Sequence, residues 1–514
     1  MTKLVNPILK GFYPDPSICT VDDNYYLVNS TFSYFPGVPI FKSKDLINWS
    51  QIGNVLTRES QLNLTNTKHS EGIFAPTIRY NNGKYYVITT NISRGGTFIV
   101  TANVPEGPWS DPYYIEGAEG IDPSLFFDDD GKAYYVGTRP NSDGCKYNGD
   151  WEIWLQEIDL ESYKLIGNSR RLWKGALNGV IWPEGPHIYK RNDYYYLMIA
   201  EGGTANEHSI SIARSKNIFG EYEGNPCNPI LTHRHLGRDY KVKNVGHGDL
   251  VRTRDDKWFI VMLGSRYCEG YCNIGRETFI AKVKWENDWP IVNEGKGMLS
   301  DYDDLGMKEY KVEAKEACYH FDSNKLSDKF LVLRNPSDEL YSLTKRPGYL
   351  RLYLKNIGLD ELDNPAYVCV RQEDYNFLAA TSMEFLPIDD GDSAGLAIVQ
   401  DNKHNMRFIY TKESEILKIR LINTINGLDT IVADAEVEAN LLRLKIVGNC
   451  QKLAFYYSID GENYKELISN VNATTLSTDI AGGFVGCTIG LFAYTKNIKG
   501  KNYSDFLYFE YRNM

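Results

Sequence analysis

The chain has 514 residues, a length that suggests two or three domains. It carries 56 lysines and arginines against 67 aspartates and glutamates, for a net charge of −11, and no basic run could form a phosphate-binding stripe. Nucleic acid is therefore not expected as a partner, and neither is a membrane, since no apolar run approaches a membrane-spanning length. The 37 tyrosines and 9 tryptophans favour β structure and suit stacking on sugar rings.

The N-terminal segment, MTKLVNPILKG, lacks an apolar stretch of signal-peptide length. The 9 cysteines are scattered along the chain, and the closest two, Cys268 and Cys272, do not form a CxxC motif. We therefore predict reduced thiols in a cytoplasmic protein, with non-classical export as the alternative.

One pattern recurs five times from the N-terminus onward. A short apolar strand is followed by an acidic or glycine turn and an aromatic strand, and Asn82-Gly83 and Asp130-Gly131 are strong hairpin signals in two copies. A further strand follows each hairpin, so each copy has the content of a propeller blade, and five copies argue against chance similarity within a β-sandwich. We predict a five-bladed β-propeller over residues 1–305. The copies begin at Asp15, Ala75, Asp122, Gly185 and Gly248.

The repeat ends near residue 300, where the charged segment DYDDLGMKEYKVEAKEACYHFDSNKL indicates a linker. Short alternating strands follow, such as YLRLYL and MRFIYTK, with hairpin turns such as Asp460-Gly461. These signals favour a β-sandwich over residues 319–514. No long amphipathic helix is apparent, so the predicted fold class is all-β.

The propeller geometry predicts that acids from distant parts of the chain meet. The first strand of each blade lines the central channel, so the residue entering that strand lies at one mouth of the channel. Asp15, held between two prolines, enters blade one, Asp122 enters blade three, and Glu184 precedes the first strand of blade four. Ala75 and His247 occupy the corresponding places in blades two and five.

Convergent carboxylates either bind a metal ion or act as an acid–base pair on a glycosidic bond. Taken singly, an Asp-Pro acid is more often a turn residue, but the shared register of the three favours catalysis. In an inverting hydrolase, two carboxyl groups about 6.5–9.5 Å apart admit the attacking water. We expect Asp15 and Glu184 to form such a pair, and the charge of Asp122 to raise the pKa of Glu184.

Several motifs carry a resemblance to a known family. GFYPDPSI, GIFAPTIRY, GIDPSLFFDDDGKAYYVGTR, WPEGPHIYK, VGHGDLV and IGRETFIAKV, in this order, resemble the β-xylosidase branch of glycoside hydrolase family 43. The likeness covers most of residues 5–300 and continues through AGLAIVQDN, GGFVGCTIGLFAY and YSDFLYFEY. It implies a lectin-like C-terminal β-sandwich and an inverting exo-enzyme that removes xylose from the non-reducing end of short β-1,4-xylo-oligosaccharides. It implies no cofactor for the chemistry.

The resemblance assigns roles residue by residue. The general base falls on Asp15, the orienting and pKa-tuning acid on Asp122, and the general acid on Glu184. The substrate-binding arginine falls on Arg276 of IGRETF, and the alternative role for this residue is a surface ion pair. His247 of GHGDLV matches the channel histidine of the family, for which a structural role or, as in some relatives, a metal-linked role is open.

The resemblance also implies a sugar subsite. Phe32 and Phe74 match its aromatic walls, although relatives commonly have tryptophan at the position of Phe74. Ala75 and Thr204 match further contacts. Phe506 of YSDFLYF matches an aromatic that reaches from the sandwich to close the pocket, and its alternative is a place in the sandwich core.

Three matters stay open at the level of sequence. Asp322 and Asp505 could supply ligands for a structural calcium ion, as in some relatives. The small oligosaccharide substrate could be an α-L-arabinofuranoside, or both kinds of glycoside, and a non-catalytic sugar-binding protein is disfavoured because all three acids are present.

The fructosidase class is discounted because it needs an NDPNG motif where this chain has YPDPS. Relatives with the second domain are often dimers or tetramers, so a homo-oligomer is also compatible with the resemblance.

Overall fold

The computed structural model describes residues 3–312, 317–337 and 339–514, and these residues form an almost entirely β structure. Within these ranges the helical segments are single turns, the 3-10 turns Arg234–Leu236 and Thr474–Leu476 and the α-helical turn Thr478–Ala481. None of the described helices has the length and apolar character needed to cross a membrane. The predicted all-β class is confirmed. Residues 313–316, inside the predicted linker, lie outside the described residues.

The N-terminal half is a propeller of five antiparallel sheets, each built from strands that follow one another along the chain, except that the segment Tyr34–Phe35 interrupts blade one. Blades one and two contain Ser17–Val21, Asn24–Val28, Gly37–Ser43, Ser50–Leu56, then Thr77–Asn81, Lys84–Asn91, Gly96–Ala102 and Tyr113–Tyr114. Blade three contains Ile121–Phe127, Ala133–Pro140, Trp151–Asp159 and Lys164–Trp173. Blade four contains Glu184–Arg191, Tyr194–Glu201, Ser209–Ser215, Glu223–Gly224 and Leu231–Thr232. Blade five contains Val242–Arg252, Trp258–Arg266, Glu277–Glu286 and Trp289–Val292.

Local turn chemistry and apolar packing account for these blades. At the first hairpin of blade two, Asn82 and Gly83 have φ of 48° and 80°, the pair of positive angles that a type I′ turn requires. Apolar side chains fill the spaces between neighbouring blades: Val28 and Val87 belong to the cluster between blades one and two. The predicted hairpin at Asn82-Gly83 is therefore confirmed, as is the division into five blades.

A short N-terminal strand closes the ring. Lys3–Val5 pairs with Tyr302–Asp304, beyond the last blade. The Asn6 side-chain amide donates to the carbonyl oxygens of Ile280 and Ser300 at 3.0 and 2.8 Å. The start of the chain is thereby fixed to blade five, although every blade is made of its own strands.

A buried ion pair ties the first strands of four blades together deeper in the channel. Asp249 of blade five is fully buried and accepts two bonds from the Arg79 guanidinium of blade two, at 2.8 and 3.2 Å. It also accepts hydrogen bonds from the hydroxyls of Ser17 in blade one and Tyr189 in blade four, at 2.8 and 2.6 Å. Burial alone would raise the pKa of Asp249, but Arg79 and the other partners hold it below its usual range.

The C-terminal half is a sandwich of two antiparallel sheets that enclose the largest apolar cluster of the described residues. One sheet contains Cys318–His320, Tyr341–Ser342, Leu350–Tyr353, Phe377–Glu384, Leu441–Asn449, Lys452–Ser458, Lys465–Asn472 and Tyr503–Asn513. The other contains Leu331–Leu333, Ala366–Arg371, Ser393–Val399, Asn405–Glu413, Ile416–Ile425, Leu428–Glu436 and Thr488–Tyr494. A propeller segment, Tyr34–Phe35, pairs with Leu331–Leu333 and completes the edge of this second sheet.

The prediction that all thiols are reduced is not borne out by the structure. Cys268, in a loop of blade five, forms a disulfide with Cys450 of the sandwich, with a Cα–Cα distance of 5.9 Å. The two are 182 residues apart, so their pairing depends on the docking of the two halves and leaves no spacing signal in the sequence.

Candidate active site

The entry residues of the blades meet at one mouth of the channel, as the repeat predicts. They line a cavity of about 70 Å³, far below the roughly 300–1,000 Å³ of pockets for drug-sized ligands. A cavity of this size suits one small ring rather than a chain of rings. The predicted residues in its lining are Asp15, Phe32, Phe74, Ala75, Asp122, Glu184, Thr204, His247 and Arg276.

The backbone at these entry positions adopts an uncommon conformation. Asp15, Asp122 and His247 have φ of 53°, 52° and 43°, in the left-handed region that costs a non-glycine residue energy. Blade four has Gly185, with φ of 54°, at the corresponding place. A Cβ on Gly185 would lie 2.9–3.0 Å from the imidazole ring of His247. Because the ring takes that space, the acid of blade four is the preceding residue, Glu184.

The surroundings of Asp15 favour its ionised form. Ser30 Oγ donates to one carboxylate oxygen at 2.6 Å, and the other lies 3.3 Å from the Arg276 guanidinium and 3.8 Å from His247 Nδ1. Burial by itself would raise the pKa of Asp15. Arg276, His247 and the Ser30 hydrogen bond together outweigh burial and hold that pKa below its usual value.

The pKa values of Glu184 and Asp122 are shifted in the opposite direction, above their usual values. Burial, followed by the charges of Asp122 and Asp15, raises the pKa of Glu184 well above its usual value. Burial also raises the pKa of Asp122 to about 6, against the effect of His247, whose Nδ1 lies 3.9 Å away. Asp122 additionally accepts a hydrogen bond from the Gly185 N–H at 3.1 Å. The cavity therefore combines an acid kept protonated with another kept ionised.

Three phenylalanines form the apolar side of the cavity. Phe32 and Phe74 pack edge to face with ring centroids 5.7 Å apart, as predicted for the two walls. The third is Phe484, whose ring lies nearly parallel to that of Phe32 at 6.2 Å, with the Arg276 guanidinium 5.3 Å from its centroid. Phe484 belongs to the sandwich, so the second domain contributes directly to the cavity lining.

The prediction that Phe506 closes the pocket is wrong. Phe506 lies on the strand Tyr503–Asn513, opposite Leu350, and its fully buried side chain belongs to the sandwich core. Phe484 occupies the expected place because it follows a turn at Gly482-Gly483 that projects from the sheet, and its N–H donates to Ser70 Oγ of the propeller at 2.8 Å.

Sequence reasoning also missed His208, which lines the cavity. It follows Thr204 in the loop EGGTANEHSI, and that shared loop is the only sequence signal for it.

Asp322 and Asp505, the predicted calcium ligands, lie in different surroundings. Asp505 accepts two bonds from the Arg351 guanidinium, both at 2.8 Å, and one from Arg346 at 3.1 Å. Its negative charge is therefore already matched by cationic side chains of the chain itself, whereas Asp322 is exposed. Among residues 3–312, 317–337 and 339–514, no group of three or more histidine, cysteine, aspartate or glutamate side chains could hold a metal ion.

A five-bladed propeller whose channel mouth holds two buried acids, a half-buried third, an arginine and aromatic walls, capped by a β-sandwich, has the architecture of a glycoside hydrolase. The chain belongs to glycoside hydrolase family 43, whose model, described as "Glycosyl hydrolases family 43", matches residues 4–290. A second model, "Beta xylosidase C-terminal Concanavalin A-like domain", matches residues 318–512. The resemblance noted in the sequence is confirmed.

Named relatives cover the chain from end to end. A "Xylosidase/arabinosidase" of Butyrivibrio fibrisolvens is 50% identical, with 98% of each chain aligned. A "Non-reducing end alpha-L-arabinofuranosidase" of Bacteroides ovatus is 35% identical over 99% of this chain and 94% of that protein. The crystal structure of a xylan β-1,4-xylosidase from Bacillus halodurans has a TM-score of 0.93 at 34% identity, covering 99% of this chain and 100% of that one.

Proposed function

We propose that the protein is an inverting, exo-acting β-xylosidase that releases xylose from the non-reducing end of short β-1,4-xylo-oligosaccharides. The observation that carries this proposal is the opposite tuning of two acids in one small cavity. The pKa of Asp15 is lowered by Arg276 and His247, whereas burial and neighbouring carboxylates raise that of Glu184. Near neutral pH the cavity therefore contains a base and an acid together.

The reaction follows from these protonation states. Glu184 gives its proton to the glycosidic oxygen as the bond to the anomeric carbon breaks, and the shortened oligosaccharide leaves as an alcohol. Asp15 takes a proton from a water molecule, whose oxygen bonds to the anomeric carbon from the opposite face of the ring. A β-linked substrate thus yields α-xylose, and exchange with solvent restores both carboxyl groups. Asp122 acts through its charge, which keeps the Glu184 proton in place.

The shape of the cavity supports exo action. The cavity of about 70 Å³ is bordered by Phe32 and Phe74 on the propeller side and by Phe484 from the sandwich. A long chain would have to pass through these walls, whereas a terminal residue needs one opening only. Exo action therefore depends on the docking of the sandwich.

A second candidate activity is release of α-L-arabinofuranose. It is favoured by the relative at 50% identity, which is named as both a xylosidase and an arabinosidase. Comparing kcat/KM on nitrophenyl β-D-xyloside and nitrophenyl α-L-arabinofuranoside ranks the two activities.

The test of the proposal uses xylobiose and proton NMR of the first product formed. We expect α-xylose to appear first, and Glu184→Ala to lower kcat on xylobiose by about 10²–10⁴-fold. Glu157 of the Lys132–Glu157 ion pair, a half-buried acid outside the cavity lining, provides the control, since Glu157→Ala should leave the rate unchanged. Initial release of β-xylose, or full activity of Glu184→Ala, would overturn the mechanism.

A further inference from the structure

His208 is a buried side chain of the cavity to which the proposed reaction assigns no task. It is 3% exposed and follows directly on the loop that carries Thr204. Its Nδ1 lies 2.9 Å from the carbonyl oxygen of Asn244. A carbonyl only accepts, so Nδ1 carries the hydrogen and the neutral ring presents a lone pair at Nε2. No partner for Nε2 is found among the residues that the structure describes.

The position of the ring is fixed by the first strand of blade five. A Cβ on Gly246 would lie within 2.3–2.4 Å of the ring atoms of His208, so the imidazole lies directly against the backbone there. Gly246 immediately precedes His247. The edge of the ring that carries Nδ1 and Nε2 therefore lies beside Gly246, and Nε2 is the ring nitrogen of this cavity-lining residue that has no hydrogen-bond partner among the described residues.

Another buried histidine, His233, has both ring nitrogens satisfied within the protein, whereas His69 and His404 also have unpartnered ring nitrogens. His233, 3% exposed, has the same kind of bond from Nδ1, to the Val242 carbonyl oxygen at 2.8 Å. Its Nε2, however, accepts a hydrogen bond from the backbone N–H of Leu299 at 3.0 Å. Both nitrogens of His233 are therefore satisfied within the protein, as is expected of a buried polar group. His208 matches His233 in burial and in tautomer but differs at Nε2.

We propose that His208 is a substrate-binding residue whose Nε2 accepts a hydrogen bond from a hydroxyl group of the sugar in the cavity. This role rests on the proposed function and deepens it. Arg276 only donates and Asp15 and Glu184 exchange protons during the reaction, so His208 joins Asp122 and Thr204 as a group that can accept from the sugar without taking part in proton transfer.

A neutral acceptor also suits the electrostatics of the site. An additional carboxylate would raise the pKa of Glu184 further and would oppose the lowering of the pKa of Asp15. Burial lowers the pKa of His208 to about 4, so the imidazole remains uncharged where the two acids work. His208 can thus hold a hydroxyl group without adding a negative charge beside either acid.

Two conservative variants distinguish a substrate-binding role of His208 from a purely structural role. In His208→Asn the side-chain amide can replace Nδ1 and keep the bond to Asn244, but the acceptor at Nε2 is lost. In His208→Gln the amide oxygen can replace Nε2 while the bond to Asn244 is lost. We expect kcat/KM on xylobiose to fall roughly tenfold in His208→Asn and to stay closer to wild type in His208→Gln. The inhibition constant of xylose should follow the same order.

Deoxygenated nitrophenyl xylosides locate the hydroxyl group. The wild-type protein and His208→Asn should hydrolyse one deoxy substrate at equal rates, because the group that binds Nε2 is missing from it. His233→Asn is the control, and we expect it to lower the unfolding temperature without changing the preference among these substrates.

The opposite order, with His208→Asn active and His208→Gln impaired, would show a structural role and overturn the inference. Failure of the wild-type protein to hydrolyse any xyloside or arabinofuranoside would instead overturn the proposed function. The two failures are therefore distinguishable.

Discussion

At the scale of single residues, the site works by giving three similar carboxyl groups different surroundings. Asp15 lies beside a cation and a hydroxyl donor, which lower its pKa, whereas burial and two neighbouring anions raise the pKa of Glu184. The pKa of Asp122 is raised by burial and by Asp15 but lowered by His247. His247 lies within 4 Å of both Asp15 and Asp122 and so links the two. The assignment of base and acid therefore follows from neighbours rather than from residue type.

The pH profile of Asp122→Asn tests this division. The charge of Asp122 raises the pKa of Glu184, so its removal lowers that pKa and Glu184 loses its proton at lower pH. We expect the alkaline limb of kcat/KM to move to lower pH, while the acidic limb, which reports ionisation of Asp15, moves less. Measurement of kcat/KM on nitrophenyl β-D-xyloside across pH 4–9, roughly the range between ordinary carboxyl and thiol pKa values, checks this. An alkaline limb that stays in place or moves upward would contradict it.

The variant Gly185→Ala tests whether the close approach of Gly185 to His247 positions the imidazole ring. The new methyl group would lie 2.9–3.0 Å from the imidazole and displace it from Asp15 and Asp122. We expect kcat/KM to fall by up to about 100-fold, as for other small misplacements of reacting groups. Gly131→Ala is the matched control, since Gly131 also has a positive φ, of 85°, but nothing lies within 4 Å of its added Cβ. Equal losses of activity in the two variants would point to backbone strain alone.

At the scale of elements, the first strands of the blades do two things at once. Their entry residues form the cavity, and a few residues further along they carry the buried network around Asp249. Because Asp249 is bound by residues of blades one, two and four, it fixes the strands against one another. The same contacts that close the ring therefore also set the spacing of the acids.

Asp249→Asn should destabilise the propeller strongly. Loss of the charge leaves the Arg79 guanidinium buried without its partner, which typically costs about 3–5 kcal/mol. Urea unfolding monitored by tryptophan fluorescence measures the change. Asp256→Asn removes the partner of Arg252 in an exposed pair and should cost no more than about 1 kcal/mol. Similar stabilities of the two variants would show that the network is not important for closure.

At the scale of the whole molecule, the sandwich is attached to the very segment that carries Arg276. Asn273 is 3% exposed; its side-chain amide donates to the Ala473 carbonyl oxygen at 2.8 Å, and its side-chain oxygen accepts from Gln451 at 2.8 Å. The backbone N–H of Cys487 donates to the Asn273 carbonyl at 2.7 Å. The sandwich therefore positions the arginine beside Asp15 as well as supplying Phe484.

Asn273→Ala should weaken catalysis from outside the cavity. It removes both side-chain hydrogen bonds to the sandwich, so we expect Arg276 to be held less firmly and kcat/KM to fall roughly tenfold, mainly through KM. The control is Asn293→Ala, which removes a buried asparagine of the same blade whose amide donates to the Met298 carbonyl oxygen at 2.8 Å. Wild-type KM in Asn273→Ala would contradict a positioning role.

The sequence was informative wherever the signal is local. Hairpin turns such as Asn82-Gly83 and the repeated entry to each blade predict the propeller, and the propeller in turn predicts that Asp15, Asp122 and Glu184 meet. What depends on the docking of the two domains was not predictable in this way. Phe506 lies in a strand of the sandwich and Phe484 in the loop before the strand Thr488–Tyr494, and only the packing decides which one faces the propeller.

His208 and the Cys268–Cys450 disulfide were missed for a related reason. A buried histidine is more often structural, and its role emerges only when the partners of both ring nitrogens are known. The two cysteines come together through contacts between domains that no spacing in the sequence reports.

The order in which these parts are synthesised has a consequence for how the protein matures. Asp15 leaves the ribosome long before Arg276, which lies beside it, and Phe484, which lines the same cavity. The N-terminal strand Lys3–Val5 must likewise wait for Tyr302–Asp304. A nascent chain can therefore build single blades as it grows, but it completes the cavity lining only after Phe484 has been added.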